Sequence, residues 1–74
     1  MTIRQLQKVV TVEDHQYVII NDMKNVRTIQ SDGGWVLEPG YDYEGYNYEE
    51  IDRILSLSID EVRFSKNFLR IWAH

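Results

Sequence analysis

YVIIND, residues 17–22, is the stretch from which the fold is read. Tyr17, Val18, Ile19 and Ile20 form an unbroken aromatic and β-branched run, which suits a pleated strand, and Asn21-Asp22 closes it with turn-forming side chains. Towards the amino terminus, residues 13–16 interrupt the apolar pattern with Glu13, Asp14, His15 and Gln16. Val9, Val10 and Val12 stand beyond them, so residues 9–21 read as a hairpin. Further out the signal divides. Thr2 and Gln5 make a capping box and Ile3, Leu6, Val9 and Val10 have helical spacing, whereas KVVTV, residues 8–12, is strand-like. The expectation for residues 2–10 is a short helical turn or extended lead-in that becomes a strand over Val9–Val12.

Towards the carboxyl terminus, Val26–Gln30 and Trp35–Leu37 read as two arms of a second hairpin, joined by SDGG, residues 31–34, whose glycines permit positive φ. Pro39-Gly40 ends that element, since proline donates nothing to a ladder. Asn47 is placed to cap a helix and Glu50 to complete a capping box; Tyr48, Ile51, Ile54 and Leu55 then share one face of a helix over about 48–57. The tail alternates at Val62 and Phe64, breaks at Ser65-Lys66-Asn67 and resumes over Phe68–Trp72, a third hairpin, with a Ser58–Glu61 capping box offering a rival helix. These elements predict a single α+β domain over 1–74: a small antiparallel sheet of five or six short strands with one helix packed on one face.

Charge is distributed unevenly. Thr28–Asp52 holds Asp32, Glu38, Asp42, Glu44, Glu49, Glu50 and Asp52 and no basic residue, a local charge of minus seven, against minus four for the whole chain. Net acidity argues against direct nucleic-acid binding, where lysine and arginine neutralise phosphates. The 43% hydrophobic content exceeds what a disordered chain carries. With no cysteine there is neither disulfide nor thiolate metal site, and no run reaches the roughly 18 apolar residues of a membrane span. The expectation is a soluble cytoplasmic protein, in a host cell if a phage encodes it.

No catalytic, metal or cofactor motif stands out. His15 falls in a predicted turn and His74 is the last residue, and neither has a neighbouring nucleophile. DYEGYNYEE, residues 42–50, departs from a calcium loop because tyrosines occupy its ligand positions and the required bidentate glutamate is missing. DGGW, residues 32–35, lacks the GK[ST] element of a phosphate loop.

The remaining candidate is the acidic segment itself, where tyrosines alternate with acids in YDYEGYNYEE, residues 41–50. Glu49, Glu50 and Asp52 have a plain structural reason, being favoured at the positive end of a helix dipole; Asp42 and Glu44 do not. Carboxylates pair with arginine forks and phenol rings stack on guanidinium planes, so the predicted partner-binding set is Glu38, Tyr41, Asp42, Tyr43, Glu44, Tyr46, Tyr48, Glu49, Glu50 and Asp52. In size, acidity and missing catalytic residues the chain resembles the small inhibitors that phages and mobile elements direct at host nucleic-acid enzymes, anti-CRISPR proteins among them, and nuclease immunity proteins. That resemblance implies a non-enzymatic inhibitor, a nucleic-acid mimic that occupies the basic site of a nucleic-acid-binding protein. The alternative is a small assembly module, a homo-oligomer in which the acidic segment faces Arg63, Lys66 and Arg70.

Overall fold

A computed structural model describes residues 1–13, 15–32, 34–35 and 47–74. Along the chain run α1 (Ile3–Val9), β1 (Tyr17–Asp22), β2 (Arg27–Asp32), α2 (Tyr48–Leu55), β3 (Ile59–Phe64) and β4 (Phe68–Ala73). The strands form one sheet in the order β2-β1-β4-β3. β2 lies antiparallel to β1 and β3 antiparallel to β4, while β1 and β4, side by side in the centre, run parallel.

The α+β class agrees with the sequence reading, and three details do not. The described sheet is mixed with four strands, not antiparallel with five or six, and it carries two helices where one was expected. Residues 9–21 form no hairpin: the capping box of Thr2 and Gln5 starts α1, and the turn of the β1 hairpin comes after it, at 23–26. Trp35 belongs to no strand, and Val36-Leu37, the rest of the expected second arm, lies outside the described residues. The β3–β4 hairpin forms as expected, and the rival helix at 58–61 does not.

Burial explains the order. β1 and β4 are the most apolar runs, and central strands are where such runs belong. The register aligns Val18 with Leu69, Ile20 with Ile71 and Asp22 with Ala73, so these side chains share one face with Ile29 and Ser31 of β2. Both helices cover that face: Ile3 and Leu6 of α1 and Ile51, Ile54 and Leu55 of α2 enter the same apolar cluster, which Leu57 completes. α2 starts where Asn47 Oδ1 accepts the Glu50 N–H at 2.9 Å, which satisfies one donor of its open first turn. The amino terminus is stitched to β3, with Ile59 N–H donating to Met1 O and Ile3 N–H to Leu57 O. The edge strand β3 is irregular between Ile59 and Glu61 and carries Asp60, Glu61 and Arg63, features that discourage edge-to-edge pairing.

Candidate interaction surfaces

The described end of the acidic segment is the first turns of α2. Tyr48 is 60% exposed there, and Glu49 and Asp52 are exposed beside it. Each acid has an arginine of the same chain for a neighbour. Glu49 faces Arg53 one turn on at 3.8 Å, Glu50 faces Arg27 of β2 at 3.7 Å, and Asp52 is held by Arg4 of α1, whose guanidinium also donates to Ser56 Oγ at 3.3 Å. The carboxylates of α2 are therefore accessible but locally balanced. Glu38, Tyr41, Asp42, Tyr43, Glu44 and Tyr46, the other predicted contact residues, lie outside the described residues.

Arg27 ties α2 to the β1–β2 turn, because its Nε donates to the buried Asp22 at 3.0 Å. Asp22 Oδ1 also accepts the N–H groups of Lys24 and Asn25, both at 3.1 Å, and Oδ2 accepts Asn25 Nδ2 at 2.9 Å. Burial alone pushes this carboxyl up, but the donors from Asn25 and Arg27 outweigh it and hold Asp22 below the ordinary carboxylate value. Beside the turn, a cleft of about 440 Å³ is lined by Lys24, Asn25, Asp52, Arg53, Ser56, Leu57 and His74. His74 Nδ1 lies 2.7 Å from Asp60 Oδ2, with both side chains exposed. Among the described residues no three His, Cys, Asp or Glu side chains are grouped to hold a metal ion, and no helix is long and apolar enough to cross a membrane.

A second surface lies on the other side of the sheet, which no described helix covers. Alternation places Tyr17 and Ile19 of β1, Phe68, Arg70 and Trp72 of β4 and Glu61 and Arg63 of β3 on that face, with Arg63 Nη2 3.3 Å from Glu61 Oε1. Tyr17 pairs in register with Phe68, and Arg70 with Arg63. The guanidiniums of Arg63 and Arg70 sit 5.3 and 5.6 Å from the Trp72 ring centre, within cation–π range. The tail's basic residues were visible in the sequence; the alternation of FLRIW, residues 68–72, puts Arg70 on a face with Phe68 and Trp72, and only the strand register adds Arg63 and Tyr17.

Among the described residues these features define a two-helix, four-strand α+β domain with one sheet face covered by both helices and the other, the open face, by neither. No family model matches the chain, and no significant match to it was found among curated proteins or solved structures.

Proposed function

We propose that the chain is a non-enzymatic inhibitor of the phage or mobile-element type, which occupies the basic nucleic-acid-binding site of a target protein through its acidic, tyrosine-rich segment. The observation that carries this reading is the segment's composition: twenty-five consecutive residues, 28–52, with seven acids, no lysine or arginine, and four of the five tyrosines. Ordinary solvated surfaces intersperse the two signs. Support comes from α2, where Tyr48 and Glu49 stand exposed on a capped, core-anchored helix.

The arginines beside Glu49, Glu50 and Asp52 narrow the reading without removing it. The pairs at 3.7 and 3.8 Å are beyond the length of a good charge-assisted bond; the exposed one, Glu49 with Arg53, contributes about 0–1 kcal/mol, and Glu50 with Arg27 is half-buried. An incoming guanidinium displaces Arg53 from Glu49 at small cost. The rest of the contact set's negative charge is carried by Glu38, Asp42 and Glu44, which have no basic residue near them in sequence.

The test is capture from lysate followed by mass spectrometry, with wild type beside the Asp42→Lys/Glu44→Lys/Glu49→Lys variant. Charge-assisted hydrogen bonds contribute about 1.5–3 kcal/mol each, so the variant should lose its basic partner by on the order of 100-fold or more while its circular dichroism is unchanged. Equal capture by both removes the mimicry mechanism.

The assembly-module reading is favoured by one feature, the side-by-side arginines Arg63 and Arg70 in a chain that also carries the acidic segment. Light scattering at two salt concentrations separates the two: a salt-sensitive dimer supports assembly, and a salt-indifferent monomer leaves the acidic segment free for a foreign partner.

A further inference from the structure

The open sheet face has features that the acidic segment does not explain. Strand geometry puts Phe68, Arg70 and Trp72 in a row about 6.6 Å apart, with Tyr17 about 4.8 Å to the side of Phe68 on the neighbouring strand. Arg70 makes no ion pair among the described residues, and its Nε is buried without an acceptor. Asn21, in register with Trp72, has Oδ1 buried without a donor, although its Nδ2 reaches Thr28 Oγ1 at 3.1 Å. Buried polar groups are ordinarily satisfied, so this face lacks both an acceptor for Arg70 and a donor for Asn21. We propose that it binds single-stranded nucleic acid, with a base stacked on Phe68 and Tyr17 and a phosphate held by Arg70 and Arg63.

Chemistry selects this occupant over two others. A second copy docked face to face about a two-fold axis would bring the arginine pairs of both copies into one interface, which like-charge repulsion opposes. An acidic peptide would pair with the two arginines, as acidic motifs do with arginine clusters, but its carboxylates give Phe68 and Tyr17 no flat π face to stack on. Aromatic rings on a sheet surface beside cations are, by contrast, a recurrent way to hold unpaired bases, which carry π faces, exocyclic donors and phosphates together. Trp72 holds both guanidiniums against its ring, which lowers the ordering cost of binding; Arg63 also donates to Glu61 Oε1 at 3.3 Å, an exposed pair worth about 0–1 kcal/mol that a phosphate has to displace. The acids of α2 sit on the other side of the sheet, and the described acid beside the two arginines is Glu61, in register with Trp72 and paired with Arg63. With two arginines in play the salt dependence is shallow, a slope of about −1.4 in log affinity against log salt.

The experiment is fluorescence anisotropy of labelled single-stranded DNA and RNA 12-mers and of a duplex, titrated with wild-type protein and with Phe68→Ala, Arg70→Gln and Lys8→Ala. Expected are saturable binding of the single strands in preference to the duplex, a loss of roughly 5- to 150-fold in each of the two open-face variants, and no change in Lys8→Ala, which removes a positive charge from exposed α1. Arg70→Gln keeps the result decisive should Phe68→Ala unfold. The proposal is overturned if no strand binds, if Lys8→Ala weakens binding as much as Arg70→Gln, or if polyglutamate competes as well as an oligonucleotide. It is equally overturned if wild type is a dimer that Arg70→Gln dissociates.

Discussion

Replacing Asp22 by alanine should destabilise this domain more than any surface change. Asp22 is 1% exposed and its two oxygens accept four hydrogen bonds, from Lys24 N, Asn25 N, Asn25 Nδ2 and Arg27 Nε. Alanine strands two backbone donors of the 23–26 turn and leaves Arg27 with a more distant carboxylate, Glu50 at 3.7 Å. Breaking a buried charged pair costs about 3–5 kcal/mol, against a total stability of about 4–11 kcal/mol for a domain of this length. Asparagine keeps the shape and one acceptor, and should cost about 1–3 kcal/mol. The pH dependence is the sharper readout. Because the folded-state pKa of Asp22 lies below the ordinary 3.8, its contribution is fully present above pH 3.8 and disappears as pH falls through the folded value. Urea unfolding followed by far-UV circular dichroism from pH 7 to pH 2 should therefore show wild type and Asp22→Asn converging in stability below about pH 4. A gap between them that stays constant down to pH 2 would refute the charged hydrogen-bond account.

Two further substitutions test local geometry. Val26 has φ of 52° and is 90% exposed, so a β-branched residue occupies the left-handed region with no burial in return; Val26→Asn should raise stability by about 1 kcal/mol, a gain of roughly 4–8 °C in Tm, and an unchanged or lower Tm in differential scanning calorimetry counts against strain at this turn. Trp35 Nε1 donates to Val10 O at 2.8 Å; Trp35→Phe removes the donor and should cost about 1–2 kcal/mol in urea unfolding, and a loss below about 0.3 kcal/mol would show that solvent already satisfies Val10 O.

Local chemistry was legible where one segment decides it. Asn47 and the Ile51, Ile54, Leu55 stripe announced α2, and the polar break at 65–67 announced the β3–β4 turn. Elsewhere long-range packing overruled local preference. Val9, Val10 and Val12 have strand chemistry, yet both central places in the sheet go to the longer apolar runs YVIIND and FLRIWA; Val9 is left exposed at the end of α1, and Val10 and Val12 pack at the rim of the core. The parallel pairing of β1 with β4 has no local signal, because nothing between Asp22 and Phe68 encodes it except the burial both strands gain. The β1–β2 turn was hidden for a different reason. It contains no glycine, and its positive φ falls on Val26, whereas the glycines that usually mark such a turn stand at 33–34, where Gly34 at φ of 83° leads to Trp35, which is in no strand and makes a side-chain bond to Val10. For the surfaces, alternation in residues 68–72 showed which side chains share a face; only the placement of both helices shows which face is left open.

That division decides how the two functional proposals relate. Net charge describes neither side of a layered domain. A helix packed on a sheet adds a layer of about 10 Å, comparable with the roughly 8 Å Debye length at physiological salt, so exposed charges pointing away from each other on opposite sides act nearly independently. Glu49 on α2 and Arg70 on the open face share no partner, and changes at sites so separated should combine additively, within about 0.5 kcal/mol. Glu49→Lys should therefore weaken capture of a basic protein and leave oligonucleotide affinity unmoved, Arg70→Gln should do the reverse, and the double variant should show both losses undiminished. Coupling above that margin in either assay would mean that one ligand reaches both surfaces, and the sheet would no longer separate two sites.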